Sequence, residues 1–242
     1  MGTRAVEPRA IRNVTLFGDL DGTNGVGHRL RHSGSPMRWA TGQVEHLIRF
    51  TEVCDGDPER SIRVADGAIA VIDASVRSSP RVEAMLRAAD DYQVARLCVI
   101  DGLDRPGADL DGCIRRISDI RGAIPLLLQV PLGTGPALEG VVDLIPMWQI
   151  LPRAAEVYGE QWEVAARWHR RLLDTVTEPD TGPPTIDELH IRIRALTRIG
   201  EIVPVLCGAV PGRDDLARLR DAIVRYLPSP MDVCQPEHAL DY

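Results

Sequence analysis

Most of the residues in this chain that could do chemistry lie in one glycine-rich run and two pairs of carboxylates. Gly18-Asp19-Leu20-Asp21-Gly22-Thr23-Asn24-Gly25 follows the apolar run Val14 to Phe17 and precedes a helical stretch at His28 to His32. Strand, glycine-rich loop and helix are the setting of a phosphate loop, whose pattern is GxxxxGK followed by Ser or Thr. The glycines let backbone N–H groups wrap a phosphate, the lysine neutralises the β- and γ-phosphates, and the hydroxyl holds Mg²⁺. Gly18 keeps the first glycine, but Thr23, Asn24 and Gly25 stand at the second glycine, the lysine and the hydroxyl. Asp19 and Asp21 flank this loop. They can cap loop amides, or act as an acid/base pair in which one carboxylate raises the pKa of the other. Asp101 and Asp104 follow the apolar run Val94 to Ile100, where both bond loop amides in one reading and Asp104 reads the amide-like edge of a small ligand in the other. His28 and His32 share a helix face; a solvated face is one reading, and metal ligation with Asp19 or Asp21 the other.

Composition narrows the chemistry. The chain has 242 residues and 28 basic side chains, every one an arginine. Any mechanism that needs a lysine ammonium is therefore excluded. A net charge of −7 argues against an extended nucleic-acid surface. Arg115, Arg116 and Arg121 read as a solvated helix face. The five cysteines (Cys54, Cys98, Cys113, Cys207, Cys234) have no CxxC spacing, so neither a disulfide framework nor a cysteine zinc site is indicated. The polar stretch Met1 to Asn13 does not read as a signal peptide, and no apolar run approaches the roughly 18 residues of a membrane span. The expected setting is the cytoplasm.

The elements that must position these residues alternate. Strands are expected at Val14 to Phe17, Val44 to Thr51, Gly67 to Ala74, Val94 to Ile100, Ile124 to Val130 and Glu201 to Cys207. Helices are expected at Pro58 to Val64, Pro80 to Tyr92 (Val82, Met85, Leu86 and Ala89 inward), Asp111 to Ile120 and Asp214 to Tyr226. Near-continuous aliphatic strands separated by helices predict an α/β fold, a doubly wound, mostly parallel sheet covered on both faces. Between Gly133 and Gly200 the pattern changes. Gly140 to Ile145 reads as a strand. Helices follow at Arg153 to Thr175 (Val157, Trp162, Ala165, Trp168 and Leu172 near helical spacing) and Ile186 to Ile199 (Leu189, Ile193 and Leu196 inward). Trp148, Trp162 and Trp168 are expected in the core of this segment. The expected division is 1–132 with 201–242 as a GTPase-like domain, and 133–200 as an inserted α+β subdomain.

Longer runs carry a specific resemblance. They are ERSIRVADGAIAVIDA (Glu59 to Ala74), ARLCVIDGLDRPGADL (Ala95 to Leu110), IPLLLQVPLG (Ile124 to Gly133), EGVVDLIPM (Glu139 to Met147), GEIVPVLCGA (Gly200 to Ala209) and DAIVRYLPSPMDV (Asp221 to Val233). In these the chain resembles the nucleotide domain of elongation factor G, the translational GTPase, from about Asn13 to its end. The resemblance implies a phosphate-loop GTPase fold with the insert before the last βα unit. It also implies that the family's four further domains do not follow here, so translocation is not carried by this chain.

The same resemblance marks what has changed. The family's guanine motif NKxD falls on Asp101-Gly102-Leu103-Asp104, where only Asp104, the residue that pairs with guanine, is kept. The guanine-loop Ser-Ala pair falls near Ala209-Val210. DTPGH should fall at Arg49 to Asp55, which reads RFTEVCD. The first switch should lie between Gly34 and Val44, too short a stretch for the family's loop. Gly18, Gly22, Thr23, Asn24, Gly25, Asp101, Asp104 and Ala209 are the implied ligand-binding positions. The acids Asp19, Asp21, Asp101 and Asp104 should repel a triphosphate. The leading expectation is a pseudo-GTPase without bound cofactor, a binding or regulatory module whose insert is a contact surface; in the family that insert meets the ribosomal stalk. One alternative is a small-molecule enzyme in a specialised biosynthetic pathway, using Asp19, Asp21, Asp101 or His28. The other is guanine-nucleotide binding without hydrolysis through Asp104.

Overall fold

The strands form where aliphatic residues run without interruption. The computed structural model describes residues 6–19, 25–33, 36–53, 57–122, 124–145, 156, 159, 161–178, 182–208 and 215–233. The first strand, β1, spans Ile11–Gly18. β4 (Gly67–Asp73), β5 (Ala95–Asp101) and β9 (Ile202–Cys207) are buried along almost their whole length. Such strands need cover on both faces, and helices supply it. With β2 (Met37–Thr41), β3 (Val44–Glu52) and β6 (Ile124–Leu127) they form a seven-stranded sheet in the order β2-β3-β1-β4-β5-β9-β6. All its neighbours pair in parallel except β2, which is antiparallel to β3. The mostly parallel α/β fold is as the sequence predicts.

The hairpin β2–β3 corrects one expectation. The stretch Gly34 to Val44, read only as a shortened switch, contains β2 and a two-residue turn at Gly42-Gln43. Gly42 has φ +61°, the first central position of a turn whose twist matches a hairpin. Trp39 anchors the hairpin by donating its Nε1–H to Asp221 at 2.8 Å.

A side-chain cap or a first-turn proline opens several of the helices. α1 spans Val26–His32 and α2 Pro58–Arg63, the latter capped by Asp57, which accepts from Arg60 N. α3 (Pro80–Asp91) begins on a proline, whose missing N–H costs nothing in the first turn, and buries Val82, Met85, Leu86 and Ala89 as expected. α4 (Leu110–Ser118) is capped by Asp109.

The expected strand Ile124 to Val130 divides in two. β6 pairs with β9, whereas β7 (Gln129–Leu132) leaves the sheet and pairs antiparallel with β8 (Gly140–Asp143). The Gln129 side chain bridges the parting. Its Oε1 accepts from Cys207 N at 3.0 Å and its Nε2 donates to Asp143 at 2.7 Å. One amide thus replaces the ladder bonds that the separating strands lose.

α5 (Gln161–Val176) and α6 (Ile186–Arg198) follow, the latter opened by a capping box of Thr185 and Glu188. The buried stripe of α5 is Ala165, His169, Leu172 and Val176, not the predicted line through Trp162 and Trp168. Both tryptophans are half-buried, and Arg171 lies over the Trp168 ring at 5.2 Å. Val157 and Trp148 lie outside the described residues. On α6, Leu189 and Ile193 are buried with Thr197, while Leu196 is half-buried. Ala165, Leu172, Leu189 and Ile193 share one hydrophobic core with the sheet. α7 (Asp215–Tyr226) covers β9, and α8 (Pro230–Val233) ends the described chain. Among the described residues, no helix is long and apolar enough to cross a membrane.

Candidate functional site at the carboxyl edge of the sheet

In an open α/β sheet, ligands bind where the strands end and the loops diverge. Here β1, β4, β5 and β9 deliver Gly18, Asp73, Asp101 and Gly208 to one edge. β1 ends in a left-handed turn: Gly18 has φ +123°, and a Cβ there would collide with the Val71 carbonyl. Only glycine lets the chain pass this close to β4. Asp19 N then donates to Val71 O at 2.9 Å. The Asp19 carboxylate is turned inward. Oδ2 accepts from Asp73 N at 3.1 Å, and Oδ1 accepts from Ser79 Oγ at 3.3 Å. Asp19 therefore ties β1 to the end of β4 and the start of α3.

Asp101 makes a second tie. It is buried, its Oδ2 accepts from Val26 N at 2.8 Å, and its Oδ1 accepts from Gly102 N at 3.0 Å. Burial raises its pKa, against the opposing pull of the two N–H groups and Arg105. A carboxylate thus sits on the first turn of α1, where aligned N–H groups favour negative charge. Gly208 makes room for this contact. A Cβ at Gly208 would lie 2.6 Å from Val26 Cγ2 and 3.0 Å from Val99 Cγ1.

The expected ring of acids also contains cations. Asp73 forms an ion pair with Arg105 and accepts from Ser75 N and Ser75 Oγ at 2.8 and 2.6 Å. Arg116 donates to the Asp73 carbonyl at 3.3 Å. The Arg105 side chain lies against Gly102, whose Cβ would meet Arg105 Nε at 3.2 Å. A guanidinium thus reaches the ground that a side chain at residue 102 would cover, and neutralises Asp73. Sequence reasoning missed Arg105, although it directly follows Asp104. Missed too were Asp73, Val26 and Gly208, which carry no motif.

The remaining candidates divide. Asp104 is exposed, and Gly25 is the buried, extended residue before α1. His28 and His32 stack with ring centroids 4.0 Å apart, and His32 Nδ1–H donates to the His28 carbonyl at 2.8 Å. Among the described residues, no group of three His, Cys, Asp or Glu side chains is placed to hold a metal ion. Asp21, Gly22, Thr23, Asn24 and Ala209 lie outside the described residues.

Residues 56–229, well over half the chain, match the elongation factor Tu GTP binding domain. The chain belongs to that family. The match to the GTP binding domain begins after β3, so the window Gly18 to Gly25 lies outside it. A Thermus thermophilus protein of known crystal structure is similar in fold, with a TM-score of 0.68 at 17% identity. The similarity covers 93% of this chain and 41% of that one, so this chain spans less than half the length of that protein.

The chain has no lysine to offset the charge of a phosphate. The N–H of Val26, in the first turn of α1, is already taken by a carboxylate.

Proposed function

We propose that this GTP-binding-domain fold is a pseudo-GTPase, resembling the nucleotide domain of elongation factor G, that serves as a binding or regulatory module without GTP hydrolysis. The observation that carries the reading is the Asp101 carboxylate seated on the first turn of α1. It supplies from within the protein the negative charge that this turn would otherwise accept from a phosphate. The absence of any lysine to offset it supports the same conclusion.

A contact surface suited to such a module lies on α5, where Arg167, Arg170 and Arg171 are exposed beside the half-buried Trp162 and Trp168. The resemblance to elongation factor G makes the ribosomal stalk the first partner to test. An acid/base enzyme is less well supported, because Asp19 and Asp101 each commit both carboxylate oxygens to hydrogen bonds within the protein.

The decisive experiment is titration with GTP and GDP, with and without Mg²⁺, alongside phosphate release over hours. The expected result is no turnover and no Mg²⁺-dependent binding; tight, Mg²⁺-dependent binding of GTP would overturn the reading. Co-sedimentation with ribosomes tests the partner separately.

A further inference from the structure

Residues of α6, α7 and the strands β7, β8 and β9 line a second cleft. Its apolar wall is Leu128, Ile145, Leu206 and Ala222. Its volume is about 210 Å³. A cavity of about 150 Å³ already holds a benzene ring, so this one has room for a branched or aromatic side chain. Small molecules bind in clefts of this kind, mostly apolar with a few placed polar groups. None of its lining residues belongs to the site at the carboxyl edge of the sheet.

Most of the polar lining is satisfied within the chain. Asp143 accepts from Arg218 Nη1 at 2.6 Å and from Gln129 at 2.7 Å. His190 Nδ1 and the Tyr226 hydroxyl share a hydrogen bond of 2.8 Å. Burial keeps both groups neutral near pH 7, lowering the pKa of His190 and raising that of Tyr226. Either tautomer leaves one donor of this pair unused: the imidazole Nε2–H if the hydroxyl donates, the hydroxyl if Nδ1–H donates. Two charges are left over. Asp221 Oδ1 accepts from Trp39, while Oδ2 has no partner among the described residues. The exposed Arg225 guanidinium has none there either. Asp221 and Arg225 stand four apart on α7 and share a face, a spacing at which such residues usually pair. Here the Trp39 indole holds Asp221 instead.

The lining carboxylates Asp143 and Asp221 balance the guanidiniums Arg218 and Arg225, so the cleft has no net charge. A phosphate ester or a dicarboxylate would meet no excess of cations there. A zwitterion meets one free carboxylate oxygen and one free guanidinium beside an apolar wall. We propose that this cleft binds a free α-amino acid with an apolar side chain. The ammonium donates to Asp221 Oδ2, and the carboxylate accepts from Arg225 and from the unused donor of the His190–Tyr226 pair. The side chain lies against Leu128, Ile145 and Leu206. Both charges of an α-amino acid sit on one carbon, which suits two opposite charges one turn apart on a helix.

The test is isothermal titration calorimetry of the full chain with L-leucine, L-isoleucine, L-methionine and L-phenylalanine. Isocaproate and isoamylamine, which are leucine without its ammonium and without its carboxylate, are the controls. The variants are Arg225→Gln, Asp221→Asn and, away from the cleft, the exposed Arg121→Gln, with circular dichroism to check folding. Asparagine keeps an oxygen for Trp39, and the exposed Arg225 carries the test if Asp221→Asn disturbs the hairpin. At least one amino acid should bind one-to-one with a Kd below about 1 mM. Loss of a charge-assisted hydrogen bond should weaken it at least about tenfold in Arg225→Gln and Asp221→Asn, and leave it unchanged in Arg121→Gln. A wild type that binds none of the four amino acids at millimolar concentration overturns the proposal. So does binding that Arg225→Gln leaves unchanged, or isocaproate or isoamylamine binding as tightly as leucine.

Discussion

Replacing Asp101 by alanine tests the central tie of the candidate site. The substitution removes the acceptor of Val26 N and of Gly102 N, both buried. A buried donor left without a partner costs about 1–3 kcal/mol. Part of that is offset, because the variant no longer buries a carboxylate whose desolvation raises its pKa. The net loss should be roughly 2–4 kcal/mol, which in a chain of this size lowers Tm by about 5–12 °C. Thermal and urea denaturation followed by circular dichroism would measure it, with the exposed Asp104→Ala as the control expected to leave Tm unchanged. pH adds a second arm. The raised pKa means that the folded chain holds this proton more tightly than the unfolded one, whose ordinary value is 3.8. The resulting stability is complete below pH 3.8 and is lost as pH rises through the folded value. The gap between wild type and Asp101→Asn should therefore narrow as pH rises across that window. An Asp101→Ala variant within about 1 °C of wild type would refute the reasoning, because two buried donors cannot be orphaned so cheaply.

Three further outcomes are expected. Gly208→Ala should destabilise by about 1–3 kcal/mol through overpacking against Val26 and Val99, read as a lower urea midpoint with an unchanged slope. Burial lowers the pKa of His46, His169 and His190 below the ordinary 6.5, so the folded chain binds fewer protons than the unfolded one. Stability from these groups is complete above pH 6.5 and falls as pH drops from there; urea midpoints at about pH 7.5 and 5.5 check the sign. Burial pushes the Cys98 and Cys207 thiols up to about 12, so neither should react with a thiol reagent near pH 8 until the chain is denatured, as peptide mapping of the label would establish.

Sequence and structure divide the account along a physical line. Runs such as GAIAVID and ARLCVID could be placed as buried parallel strands because their burial is encoded in neighbouring residues. The inward face of α3 followed from helical spacing in the same way. The missing lysine and the altered loop positions are likewise facts of composition that no fold can alter. What lay beyond the sequence was pairing between distant residues. Whether Asp101 would face a ligand or Val26 depends on contacts 75 positions apart. Whether the acids at the sheet edge stand alone depends on Arg105 reaching Asp73 across 32. The hairpin at Met37 to Glu52 and the parting of β6 from β7 were also hidden. Each is decided by which strand lies alongside, and Gln129 reveals its part only when Cys207 and Asp143 are brought beside it. Local pattern sets the elements, and the close approach of strand ends sets what their carboxylates are free to do.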